Sequence, residues 1–221
     1  MAGCVWRVMA VLGAAAVMAT APAHAVGNAG STTTGAAALA SDVREAVTYA
    51  VRERDARGRP FAIVDKRRAR LFVFEGNGRL IGMAPALIGL APGDFAASGV
   101  ARRWPGDLAP HERTTPAGRY DSEPGYNHLG EAIIWFDYDS ALAIHRLRPA
   151  PASERRPQRL ASSTPEDNRI SLGCVIVAPA FYDSVVAPTL GRQRGVVYVL
   201  PEEGRSLRQF LRAGSDAAQA P

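Results

Sequence analysis

Apolar positions along this chain change their period near residue 58. Over residues 36–57 they recur at three- and four-residue spacing, as Leu39, Val43, Ala46, Val47 and Ala50. That spacing predicts an amphipathic helix, with Ser41 or Asp42 as the cap of an inner start. Gly58 and Pro60 end it. Short β-rich runs take over beyond them. Residues 61–65 and 71–75 are such runs, separated by Lys66-Arg67-Arg68 and followed by the turn Gly76-Asn77-Gly78. Residues 79–89 read as a third strand interrupted at Pro85, so the opening is an antiparallel meander. More strands are expected over 118–122, 132–138, 141–145, 175–177 and 196–200. A short helix is expected over 181–190, ending near Pro188. Another is expected over 202–212, ahead of a disordered Ala-rich tail. Strands outnumber helices, and neither a βαβ alternation nor an internal repeat is visible. The fold class is therefore mainly β, a sandwich or barrel with a few flanking helices. Residues 146–169 are polar and Arg-rich without clear periodicity, which marks a functional flap or binding loop.

The first residues change the picture of where the chain works. Arg7 is the only charge before Asp42, and residues 8–17 are almost wholly apolar. That run fits a secretory signal and is too short to span a bilayer. Ala23 and Ala25 supply a small-x-small cleavage pattern, so residues 1–25 are expected to be removed. An uncleaved anchor is the alternative. No later segment is long and apolar enough for a membrane helix. The expected address is the periplasm, after export across the inner membrane. Residues 26–58 then form a flexible leader and a helix, 59–201 one domain, and 202–221 the C-terminal helix and tail.

Composition narrows the partners. The chain carries 26 basic and 21 acidic side chains, a net +5. Lys66 is its single lysine. The charges are scattered, without the basic runs and interleaved aromatics of nucleic-acid binders, so nucleic acid is not expected as a partner. Cell wall or lipid remains open as an anionic partner.

Only Cys4 and Cys174 are cysteines, and Cys4 lies within the signal. An exported chain with one remaining thiol has no internal disulfide partner, so Cys174 is either buried and inert or reactive. A reactive thiol needs a base, and histidine is the natural one. His145 follows the apolar run Ala141-Leu142-Ala143-Ile144, and Cys174 precedes Val175-Ile176-Val177. Two such strand ends set side by side bring imidazole and thiol together. Gly173 permits a sharp turn, backbone N–H groups there suit an oxyanion, and Ser171 adds a hydroxyl. His111 sits beside Pro110 and Glu112 in an expected loop. Cys174, His145 and His128 follow no compact zinc spacing, so no metal is expected, nor any organic cofactor.

These residues resemble the YkuD-type L,D-transpeptidases, cysteine enzymes of bacterial peptidoglycan. The resemblance runs from about Phe61 to Leu200 and rests on four places. They are the opening hairpin with Gly76-Asn77-Gly78, the run Thr115-Pro116-Ala117-Gly118-Arg119-Tyr120, Ile144-His145, and Ser171-Leu172-Gly173-Cys174-Val175. The resemblance implies an L,D-transpeptidase-like domain with Cys174 as nucleophile and His145 as base. It implies a carbonyl at Arg146 that orients the imidazole, oxyanion N–H groups at Gly173 and Cys174, and support from Ser171. It implies peptidoglycan stem peptides as substrate, with acyl transfer, amino-acid exchange or hydrolysis as the outcome. Arg148, Arg155, Arg156, Arg159 and above all Arg169 are then candidates for binding stem-peptide carboxylates. Leu172 and Ile176 depart from the pattern, which carries His and Arg or Asn there. Arg146 departs too, where a small residue is usual. The alternative in another class is a catalytically inactive cell-wall-binding module of the same fold.

Overall fold

The computed structural model describes residues 39–100 and 103–219. The signal read over 1–25 and the leader read over 26–35 lie outside them. Helix α1 (Ser41–Arg52) buries Val43, Ala46 and Ala50. It is shorter than expected at both described ends. Ala40, not Ser41 or Asp42, stands at the N-cap and makes no side-chain cap bond.

The strands are β1 (Phe61–Asp65), β2 (Arg70–Phe74), β3 (Leu80–Pro85), β4 (Ile88–Gly89), β5 (Gly118–Tyr126), β6 (Ala132–Asp137), β7 (Leu142–Arg146), β8 (Arg169–Ser171), β9 (Val175–Val177) and β10 (Gly195–Val199). Eight of them form one sheet in the order β3-β2-β1-β10-β5-β6-β7-β9, and β4 pairs with β8. The meander β1-β2-β3 is antiparallel, as its turns predict. The protein is mainly β with a few short helices.

Residues 61–64 read as an unbroken apolar run because both faces of β1 are covered. Phe61 and Ile63 pack with α1, alongside Phe72, Phe74, Val196 and Tyr198. Ala62 and Val64 face the other way, into a core shared with Ile134, Ile144, Val175 and Val177. The alternation at period two therefore splits one strand between two cores. Each Val, Ile or Phe removed from water in this way contributes about 1.5–3 kcal/mol at most.

Strand β5 holds the two halves of the sheet together. Its first part, from Gly118 to Ser122, pairs with β10, and its second, from Glu123 to Tyr126, pairs with β6. A strand that changes partners in this way turns a corner between layers. A register shift between Trp135 and Asp137 adds a bulge to β6 at the same level.

Three features depart from the sequence expectations. First, the helix expected over 181–190 ends at Leu190 as read but begins earlier, at Pro179, and is not one regular helix. It runs from α3 (Pro179–Phe181) through a π-helical segment (Tyr182–Val186) into α4 (Ala187–Leu190). Pro188 offers no N–H to the preceding turn. The wider wind ahead of it, closed by Ala187 N–H on the Tyr182 carbonyl, carries the helix past the proline. Second, the segment 146–169 holds helix α2 (Arg156–Ala161) and leads into β8, so it is built rather than irregular. Third, the last helix, α5, spans Leu207–Gln219, over backbone expected to be a disordered tail.

Lys66 is the largest surprise of the hairpin. It stands in the basic break between two strands, yet it is 1% exposed. Its Nζ donates to the Gly93 carbonyl at 2.6 Å and to Asp94 at 2.9 Å, with Glu202 at 3.7 Å. Asp94 also accepts from the Glu202 and Glu203 N–H groups. Burial lowers the Lys66 ammonium below its ordinary value, and its carboxylate partners oppose that shift. A buried ammonium needs such partners to stay charged.

Candidate active site

Thr115 is where the fold begins to shape a site. It is 1% exposed. Its hydroxyl accepts from the Gly89 N–H at 2.9 Å and donates to the Gly173 carbonyl at 2.8 Å. One side chain therefore ties β4 and the turn before β9 to the segment entering β5. The approach is close on both sides. A Cβ at Gly89 would lie 2.6 Å from the Thr115 nitrogen. One at Gly173 would lie 2.7 Å from Leu142 Cδ2 and 2.8 Å from the Thr114 carbonyl oxygen. Gly173 also has φ +131°, a region that L side chains avoid.

Ser171 closes that turn from within. Its hydroxyl donates to the Cys174 carbonyl at 2.7 Å and accepts from the Gly173 N–H at 3.1 Å. The Gly173 N–H, expected at an oxyanion, is committed to Ser171. Ser171 is thus a support of the turn.

Strands β7 and β9 run parallel, with Ile144 opposite Val175 and His145 opposite Ile176. Cys174, one residue ahead of β9, and His145 line the same cleft. His145 is 8% exposed, and its Nδ1 lies 2.7 Å from the Arg146 carbonyl oxygen. A carbonyl only accepts, so Nδ1 carries the hydrogen and Nε2 keeps its lone pair. Burial, helped by the charge of Arg148, pushes the imidazole down to about 4. Burial pushes the Cys174 thiol up, against weaker effects of the Ala143 backbone and Arg148. The thiol donates to the Ala141 carbonyl at 3.5 Å. At neutral pH the resting pair is therefore a neutral thiol and a neutral imidazole. That state suits proton transfer during attack, not a standing thiolate–imidazolium pair.

The cleft holds about 490 Å³. Leu172 and Ile176, the apolar departures noted above, both line it. Ile176 is otherwise 2% exposed and packs with Leu87 and Leu160, so it anchors α2 to the site wall. Trp104, His128 and Trp135 line the cleft as well, with the Trp104 and His128 rings 6.4 Å apart. Arg148 and Arg156 stand at its polar side, paired with Glu131 at 2.6 Å and with Glu154. The sequence offered no signal for Trp104 or Trp135. Neither sits in a motif, and only the folding of β6 beside β7 brings Trp135 to the cleft.

Two candidate substrate-binding arginines, Arg169 and Arg159, do not line the cleft, and the Arg146 side chain turns away from it. Arg169 pairs with Glu202 at 2.5 Å and donates to the Gly89 and Ala91 carbonyls, so it braces β4 and β8 from behind. The Arg146 side chain turns to the helical stretch, bonding Asp183 at 2.8 Å and lying 4.2 Å over the Tyr182 ring. Only its carbonyl serves the site. Arg159 bonds the Glu154 and Asp167 carbonyls, so it holds its own loop together. His111 is exposed. Among the described residues no group of His, Cys, Asp and Glu is arranged to hold a metal ion. No helix among them is long and apolar enough to cross a membrane.

No protein-family model matches the sequence. No curated protein matches it either. Among solved structures the chain is similar to the helical cell shape determining protein Pgp2 of Campylobacter jejuni. Identity is 14% and the TM-score 0.41, over 68% of this chain and 51% of that one. A point mutant of the same protein gives 14% and 0.40, over 72% and 53%. The chain thus spans about half the length of those proteins. The catalytic domain of an E. faecium L,D-transpeptidase gives 15% and 0.36, over 65% of this chain and 98% of that one. At this level the likenesses concern general fold alone.

Proposed function

We propose that this chain is an exported cysteine acyltransferase acting on peptidoglycan stem peptides. The observation that carries the reading is one arrangement. Cys174 and His145 line a single cleft from adjacent parallel strands, and the imidazole is held at Nδ1 by the Arg146 carbonyl. That bond fixes the tautomer whose Nε2 can accept a proton. The sequence motifs around both residues, and the signal-like first 25 residues, support the substrate class.

His145 Nε2 takes the Cys174 thiol proton as sulfur attacks the carbonyl carbon between the third and fourth stem residues. The Cys174 N–H is the donor we assign to the oxyanion, since the Gly173 N–H is bonded to Ser171. Nε2–H then protonates the leaving amine, the C–N bond breaks, and a thioester on Cys174 remains. An amine of a second stem, a free amino acid or water releases the acyl group. Arg148 and Arg156 replace Arg169 as the cations placed to meet a substrate carboxylate, because they line the cleft and it does not.

A carbapenem tests the nucleophile, and intact-mass spectrometry reads the result. A covalent adduct on the wild type that is absent in Cys174→Ala supports the assignment. A folded protein with a titratable thiol and no adduct refutes it, and leaves the cell-wall-binding module as the reading. Digestion of muropeptides with product analysis then identifies the acyl acceptor.

A further inference from the structure

We propose that the notch where β5 changes partners is a saccharide-binding site. The notch holds about 290 Å³, at the small end of ligand sites. It lies between the β10 half and the β6 half of the sheet, where Ser122 is the last residue paired to β10 and Glu123 the first paired to β6. Trp135 lines both this notch and the catalytic cleft, so the two are neighbours along β6.

Three observations select the ligand chemistry. The first is aromatic. Trp135 and Tyr138 line the notch with ring centroids 5.1 Å apart, and Tyr138 is 72% exposed. Trp135 is half-buried beside it, and an exposed ring at a cavity edge offers a flat apolar face that suits the C–H face of a sugar ring. The second is charge. Asp121 and Glu123 line the notch, and each is matched by a guanidinium, Arg59 at 2.7 Å and Arg194 at 2.9 Å. The charges compensate, so neither an anion nor a cation is favoured. A neutral ligand rich in hydroxyls finds both donors and acceptors. The third is Ser122. Its Oγ is the one buried side-chain polar atom among the described residues without a hydrogen-bond partner, and the residue lines this notch. Such an atom calls for a partner. The residue is only 2% exposed, so a sugar hydroxyl meets it by entering the corner beneath the notch floor. Gly195 stands opposite Ser122, where a Cβ would come within 3.1 Å of Oγ. The site binds a neutral, N-acetylated amino-sugar or hexose chain by stacking and hydroxyl bonding. That the natural ligand is the glycan strand bearing the stem peptide rests on the function proposed above.

The test uses the full chain as Cys174→Ala, titrated with an N-acetylglucosamine tetramer and followed by tryptophan fluorescence. Saturable binding is expected, weakened about tenfold in Tyr138→Ala and retained in Tyr138→Phe. Ser122→Ala removes a hydroxyl that has no partner, so it leaves the melting temperature unchanged while weakening the sugar. Absence of saturable binding up to about 10 mM overturns the proposal, as does binding indifferent to both Ala variants. Displacement of the sugar by inorganic phosphate or by a stem pentapeptide overturns it too. Carbapenem acylation of the wild type is measured in parallel. Acylation without sugar binding refutes this site alone, and sugar binding without acylation refutes only the catalytic reading.

Discussion

Replacing Thr115 by valine removes one oxygen and strands two buried backbone groups. The Gly89 N–H loses its acceptor at 2.9 Å, and the Gly173 carbonyl loses its donor at 2.8 Å. Valine matches threonine in shape, so the packing around this 1% exposed residue is kept. Each orphaned group costs about 1–3 kcal/mol, and water has little room to replace the hydroxyl. With some relaxation the sum is about 2–4 kcal/mol of stability. Urea unfolding at pH 7 measures it, as a lower midpoint at unchanged slope. Thr115→Ser is the control. It keeps both hydrogen bonds and deletes one methyl, for about 1 kcal/mol. Because the carbonyl tied down belongs to the turn carrying Cys174, Thr115→Val also slows carbapenem acylation of the folded protein. Thr115→Val within about 0.5 kcal/mol of wild type, or Thr115→Ser as damaging as Thr115→Val, would show that the clamp carries no load.

Two further outcomes follow from buried ionisable groups. The imidazole of His145 is held down to about 4 from an ordinary 6.5. Between those values the unfolded chain binds the proton and the folded one does not. Stability from this residue is therefore full above pH 6.5 and falls as pH drops towards 4, by about 3 kcal/mol. In His145→Gln the loss of stability between pH 7 and pH 4 should shrink by about that amount, measured by denaturant unfolding at each pH. Equal losses in the two proteins would contradict the burial argument. Lys66→Met keeps the stem but leaves Asp94 and Glu202 without their buried ammonium, at about 3 kcal/mol. Adding Asp94→Asn should recover part of it, and a double mutant no better than Lys66→Met would show that the pair is not coupled.

Much of this protein was legible in its residues, for a local reason. Continuous runs such as 61–65 and 175–177, punctuated by Gly, Pro and basic turns, define strands because their burial is two-sided. The apolar runs beside them put His145 and Cys174 at strand ends, and β7 does run parallel to β9. The partners of Arg169 were not legible. Arg169 is nearest the cysteine in sequence among the loop arginines, which suggested substrate. Glu202, 33 positions later, holds it instead. Position along the chain says nothing of which distant carboxylate a guanidinium will meet. The same holds for Lys66, read only as part of the basic break between two strands and found paired to Asp94 and Glu202.

The sequence by itself determined the mainly β class, most strand positions and the residue types able to do thiol chemistry, but not β8 or the second half of β5. These depend on period, turn residues and side-chain chemistry, all local properties. Only the tertiary structure decided which groups are spent and which remain available. Ser171 consumes the Gly173 N–H, Glu202 consumes Arg169, and Asp183 consumes Arg146. The Ser122 hydroxyl is left without a partner where the sheet turns its corner. Hydrogen bonds and ion pairs form between residues far apart in the chain. Their assignment waits until burial has fixed the distances and removed the water that would otherwise satisfy them.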